Sequence, residues 1–416
     1  MDTSAELDAN GWFTVLTSFS NVVLWGGIYK SLGVLLPTLT EQFTDHTWLT
    51  GVAISFMGLA ADISGLLTTL LEDKFGRRRM LILSTLTVCV GLMLVPLATS
   101  IVHIAIVLAV VVGPALGISS VLSKVLLGRH FNKRYTLASG ISQMGQVVSL
   151  LAFAPMTQLF LDTYGWRGAA LLLAGVCLHS VVCPVLVKEE KERYETPPDQ
   201  HDHKETNSTG MTRVKSFFAH ALSTVDLRIL REFNFWIVFT CICGARFPGN
   251  AWFLFNVSHL QAKGFSPQTS AALCSAASVG YLVGCVMFSP LVDRGFLKCS
   301  TGVLISSLLL TLSLAIDPFL HEAWSIAVFT ALFGLSSSAL YALTDVLTKE
   351  LLGRERLTSA FAWIGALGVP AKLLAGFLPG WLYDSSGSYD LAFIIMGASP
   401  TVAAIPLVIG KFWKEI

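Results

Sequence analysis

The 416-residue chain is 53% hydrophobic and only 13% charged, with a mean hydropathy of +0.66 and a formal net charge of +1. Soluble domains are about a quarter charged, so this composition leaves no room for a large soluble domain. It points to the bilayer as the main partner and gives no reason to expect a nucleic-acid one.

A helix needs about 20 apolar residues to cross the hydrocarbon. In chain order, spans are predicted at 12–37, 47–71, 79–99, 101–127, 135–161, 165–187, 233–256, 268–292, 300–317, 323–348, 357–382 and 390–411. The opening MDTSAELDANGW carries acid and no Lys or Arg, which does not describe a cleavable signal peptide. Of the 28 Lys and Arg residues, only Arg167 and Lys263 fall in loops on the side opposite the termini. Four fall within spans and the rest lie on the side of the termini. The positive-inside rule therefore predicts both termini in the cytosol. The expected location is the plasma membrane. The eight cysteines lie in or beside spans, so no structural disulfide is expected.

The longest polar stretch, 188–232, contains KEEKERYETPPDQHDHKETNSTG and is expected to be partly disordered. Its last part, from Arg213 to Glu232, is expected to lie as an amphipathic helix on the membrane surface. It separates six spans (1–187) from six (233–416). These halves echo each other. KVLLGRHFNKRYTLASG (124–140) follows the fourth span and KELLGRERLTSA (349–360) the tenth. EDKFGRRR (72–79) follows the second span and VDRGFLK (292–298) the eighth. Two six-helix halves related as parallel repeats, with a site between them at mid-membrane, describe the major facilitator architecture. The predicted fold class is an all-α integral membrane protein of twelve transmembrane helices in two bundles.

In EDKFGRRR, Asp73 precedes a tight turn at Gly76 and can pair with Arg77 or Arg78. The segment resembles the loop between the second and third helices of the major facilitator superfamily, with Thr69 where that motif usually has glycine. GRHFNKRYTLASGIS (128–142) resembles the signature between the fourth and fifth helices of the monocarboxylate transporter family. Phe131, Lys133, Arg134, Leu137, Ala138 and Gly140 fit it, and His130 replaces a tyrosine. DTYGWRGA (162–169) and GWLYDSSGSYDLAF (380–393) resemble that family's links between helices five and six and between eleven and twelve. The resemblance spans essentially the whole chain. It implies a gating role for Asp73, Arg77, Arg78, Lys133, Arg134 and, in the repeated motif, Arg354. The bland alternative is a set of charges that merely fixes topology.

Four cations interrupt apolar spans: Lys30, Lys124, Arg246 and Lys372. A charge at the bilayer centre costs at least about 3 kcal/mol, so such residues face water, a partner or a substrate. Lys30 lies in the outer part of the first span, within reach of the interface by snorkelling. The resemblance implies that it binds an anionic substrate. Arg246 follows CICGA and precedes Phe247-Pro248-Gly249, and Lys372 follows a Gly-Val-Pro break. Both are cavity candidates, and each has a structural alternative in pairing with Asp62 or Asp345. Lys124 is expected to snorkel. Asp62 and Asp345 are the candidate proton carriers. Members of the resembled family often carry, in the eighth helix, an acid or Asn and four residues later a carboxylate-binding arginine. Here those places hold Tyr281 and Cys285. Substrate-binding candidates are therefore Lys30, Arg246, Lys372 and Tyr281, with Trp25, Phe247 and Trp363 as further lining aromatics.

No Walker-type loop, zinc spacing or nucleophile–base constellation is visible, so neither an enzyme nor a cofactor is expected. NVS (256–258) matches a glycosylation acceptor at the outer membrane edge. The expected function is secondary transport of monocarboxylates or related organic anions by alternating access, with or without protons. The alternatives are uncoupled facilitated diffusion of a zwitterion such as an aromatic amino acid, and a non-transporting sensor. A single-span accessory subunit remains open as a partner.

Overall fold

The computed structural model describes residues 9–131, 135–187, 227–353 and 356–414. These residues are almost entirely helical. The first half contains α1 (Ala9–Phe43), α2 (Thr47–Phe75), α3 (Arg77–Leu94), α4 (101–130), α5 (135–164) and α6 (166–186). The second contains α7 (Phe233–Ala262), α8 (Pro267–Asp293), α9 (Cys299–Ile316), α10 (Ala323–Leu352), α11 (357–386) and α12 (390–414). Eleven described helical runs are long and apolar enough to cross a membrane. One of them, Ala138–Leu186, is 49 residues long. At about 1.5 Å per residue it is more than twice the thickness of the hydrocarbon core. It is in fact two spans. Gly165, at φ 68° and ψ 177°, turns the chain back between α5 and α6, a conformation open to a residue without Cβ.

Proline shapes the helices from inside. It removes one helical N–H and crowds the carbonyl four residues earlier. Ahead of Pro114 and Pro155 the helix widens into π turns at Leu108–Val112 and Ser149–Phe153, which take up that crowding. In α11 the helix breaks at Gly368, two residues before Pro370.

Packing repeats between the halves. Helix α2 lies on α4 as α8 lies on α10, and α3 on α6 as α9 on α12. Across the divide α1 meets α7, α2 meets α11 and α5 meets α8. This is the pattern of two bundles related by a parallel repeat. Between the halves, α2 and α11 cross closely. A Cβ on Gly51 would lie 2.2 Å from the Gly376 carbonyl oxygen, and one on Gly376 would lie 2.6 Å from that of Gly51. The two glycines let the backbones touch on the side away from the termini. The C-terminal end of α7, on that same side, is anchored within its own half. His259 Nε2 lies 2.6 Å from Asp317 Oδ2, and its ring stacks on Phe393 at 4.0 Å. Lys263 donates to the Asp317 and Leu320 carbonyls.

Of the segment from Arg213 to Glu232, expected as a surface helix, the described part forms a 3₁₀ turn at Leu227–Arg231, and residues 213–226 lie outside the described segments. One expectation needs correction. The span expected to end at 256 continues to Ala262, which buries Asn256 inside α7 and removes it as a glycosylation acceptor. Its side-chain Oδ1 accepts from the Cys274 thiol at 3.2 Å. All eight cysteines are free thiols.

Candidate functional site

Halfway along α2, α7 and α11, residues from both halves converge. Asp62 of α2 and Arg246, Phe247, Ile364, Gly368, Ala371 and Lys372 of the second half line a crevice of about 250 Å³, part of it open to solvent. The Gly368 break and Pro248 inside α7 border it. Lys372 forms an ion pair with Asp62 across the divide, and its Nζ also donates to the Gly58 carbonyl at 3.4 Å. The structural alternative for Lys372 is thus realised with Asp62, although the pair itself lies on the crevice wall. Arg246 remains without a hydrogen bond or ion pair among the described residues. Its charge reaches Lys372, Cys243, Tyr341 and Asp345 through space.

Asp345 of α10 lies within electrostatic range of Arg246. No ion pair or hydrogen bond holds its carboxylate among the described residues, and it feels Lys124 and Arg246 electrostatically. Lys124 is exposed, yet its field extends to both Asp345 and Lys372. Tyr281 is buried between α8 and α10, within reach of Tyr341 and Asp345. Tyr341 donates to the Ala245 carbonyl at 3.4 Å, beside Arg246. The Trp363 indole N–H is buried without a hydrogen-bond partner among the described residues, and Trp25 packs against Tyr29 with tilted rings at 5.4 Å.

Lys30 sits apart from this crevice. It does not snorkel: it is fully buried, with its Nζ 4.3 Å from the ring centroid of Trp252. Trp252 is itself stacked on Phe333 at 4.2 Å. Among the described residues no oxygen or nitrogen accepts from the ammonium, and the Cys274 thiol lies close enough to interact with it. A cation held only by an aromatic face retains unused donor capacity. Its next residue back, Tyr29, turns the other way and brings its hydroxyl beside Gly58 and the Lys372 side chain. The α1 backbone therefore connects the two cationic places.

Trp252 and Cys274 are neighbours of Lys30 that the sequence did not single out. An aromatic and a thiol within apolar helices carry no signal of their own. They matter because α7 and α8 deliver them to Lys30.

The candidate gating residues are only partly described. The helix bearing Asp73 is described but its side chain is not, and Lys133, Arg134 and Arg354 lie outside the described residues. Arg77 opens α3 behind Gly76, whose φ is 77°. Arg78 donates to the Val185 carbonyl at 2.7 Å, at the C-terminal end of α6 in its own half. A cation there satisfies a free helix-end carbonyl and complements the helix dipole.

The model of the Major Facilitator Superfamily matches residues 14–296 and 247–415, which together cover nearly the whole chain. The chain is 26% identical over 395 residues to Monocarboxylate transporter 13 of Rattus norvegicus, covering 93% of this chain and 86% of the relative. It is 24% identical over 430 residues to Monocarboxylate transporter 12 of Homo sapiens, covering 98% and 81%. Against Monocarboxylate transporter 11 of Mus musculus the identity is 24% over 399 residues, covering 92% and 84%. With twelve spans in two repeated bundles and a charged crevice between them, the chain is a multi-pass membrane protein that belongs to the Major Facilitator Superfamily of transporters.

Proposed function

We propose that this protein carries a monocarboxylate or related organic anion across the membrane by alternating access. The bundles formed by 1–187 and 233–416 would rock about the crevice at Asp62, Arg246 and Lys372. The observation that carries this reading is Arg246. It is a guanidinium at mid-helix depth, on the wall between the halves, with no ion-pair partner among the described residues. A guanidinium offers a planar donor fork that fits a carboxylate. It takes over the role for which the eighth helix supplies only Tyr281 and Cys285. Asp62 does not compete for it, because Lys372 already neutralises that carboxylate.

Small-molecule pockets are typically about 300–1,000 Å³. The enclosed space in the crevice is only about 10 Å³, room for about one water, so admission of a solute requires the halves to move apart. Lys30, with unused donors, is the second cation we assign to the anion, reached when α1 shifts from Trp252. Asp345 is the proton carrier we favour over Asp62, since Asp62 is tied to Lys372. The termini and the Arg78 face would then be cytosolic, and the membrane the plasma membrane. A zwitterion is a second reading favoured by one observation: a carboxylate, Asp62, shares the crevice with Arg246 and offers an ammonium an acceptor if Lys372 swings away.

Uptake of a labelled carboxylate panel into proteoliposomes, with and without an inward proton gradient, tests the reading. Gradient-stimulated uptake abolished in Arg246→Gln and Lys30→Ala supports it. Gradient-insensitive uptake supports facilitated diffusion. Uptake of amino acids alone supports the zwitterion, and a lack of flux for every solute refutes transport of this class.

A further inference from the structure

The side away from the termini carries two carboxylates that the transport reading does not use. Asp384 stands at the end of α11 in Asp384-Ser-Ser-Gly387, and Asp162 at the end of α5 in Asp162-Thr-Tyr-Gly165. These are the fifth helices of the two halves. Both motifs close on a glycine of positive φ, 74° at Gly387 and 68° at Gly165. Each aspartate reaches across the divide to the start of the second helix of the other half. Asp384 accepts from the Thr47 and Trp48 backbone amides of α2, at 3.1 and 3.3 Å. Asp162 accepts from the Gln268 side chain of α8 at 3.1 Å and from Gln158 of its own helix at 2.8 Å.

The difference between the two has a physical cause. The first amides of a helix lack acceptors and attract negative charge. At α2 two such amides are present, and Asp384 binds both. At α8 the first residue is Pro267, which has no N–H, and the following Gln268 supplies a side-chain amide instead. Close packing holds the first contact in register. A Cβ on Gly380, one turn before Asp384, would lie 2.5 Å from the Trp48 nitrogen, and the Trp48 ring packs edge-on against Phe377 at 5.6 Å.

We infer that Asp384 and Asp162 form a pair of pseudo-symmetric latches that hold this face closed, Asp384 the stronger and Asp162 the weaker. Opening toward this side requires both carboxylates to leave the opposing helix starts. The latches exist only in the conformation described here, so they set the balance between the two access states rather than the affinity for solute.

Native Cys274 provides the readout. It is fully buried on α8 beside Lys30, and separation of α5 and α11 from α8 and α2 exposes it to the face away from the termini. A membrane-impermeant thiol reagent is applied to that face of the full-length protein, with Cys274→Ser as the background control. Loss of a helix-capping carboxylate predicts labelling roughly five- to tenfold faster in Asp384→Ala. Asp162→Ala is expected to give a smaller increase, roughly twofold, since it loses one exposed side-chain contact. The two effects multiply in the double variant. If Asp384→Ala fails to fold, Asp384→Asn decides, since it keeps the shape and loses the charge. Wild-type labelling rates in folded Asp384 variants overturn the latch. With solute flux intact in the same preparation, that result leaves the transport reading standing.

Discussion

Removal of one partner from the Asp62–Lys372 pair is expected to be costly, and removal of both nearly neutral. The pair joins α2 of one half to α11 of the other, with side chains only 18% and 11% exposed. Breaking a buried pair by truncating one member costs about 3–5 kcal/mol, because the remaining charge is left uncompensated. Partial exposure of Asp62 and the Gly58 carbonyl beside Lys372 reduce this, so about 2–3 kcal/mol is expected for Lys372→Met or Asp62→Asn. The double variant leaves no orphaned charge and is expected to lie within about 1 kcal/mol of wild type. The coupling energy between the positions is then at least about 3 kcal/mol. Thermal unfolding of the purified protein, with and without each substitution, measures the cycle. Flux in parallel separates stability from transport, since Lys372→Met alone would also leave Asp62 free to attract the Arg246 guanidinium. Additive single and double effects would refute the reasoning, because they would mean that the two charges do not meet across the divide.

Three further perturbations address other links. Gly51→Ala places a methyl 2.2 Å from the Gly376 carbonyl, where ordinary contact begins at 3.4 Å. Overpacking of about 1–3 kcal/mol is expected to bias the protein away from this closed face, read as faster Cys274 labelling; an unchanged rate refutes the close crossing. Trp252→Leu removes the aromatic face that holds Lys30 and about 1–2 kcal/mol of cation–π attraction. It is expected to raise affinity for the transported anion by freeing the ammonium, and a KM that rises or does not change argues against Lys30 as an anion ligand. Asp317→Ala leaves buried His259 without its partner at the end of α7, and a loss of roughly 1–3 kcal/mol in thermal stability is expected.

Composition and spacing were sufficient for the twelve spans and the repeat, while the family was legible only through the resemblance of short motifs. Apolar length and loop charge are one-dimensional quantities that the bilayer reads directly. The Asp-x-x-Gly links were visible in the sequence only as family resemblance. Their role emerged when α5 and α11 were seen to reach the starts of α8 and α2. The four intramembrane cations were likewise legible as residues, because each violates the cost of charge in hydrocarbon. Their partners were not. Lys372 was equally free to meet Asp62 or Asp345, Lys30 to snorkel or turn inward, and Asn256 to lie in water or within α7. Those choices depend on distances of a few ångströms between helices far apart in the chain. Ion pairing, cation–π contact and helix capping are short-ranged, so only the packing of one bundle against the other decided that Lys30 rests on Trp252, that Asp62 holds Lys372 and that Arg246 is left facing the crevice.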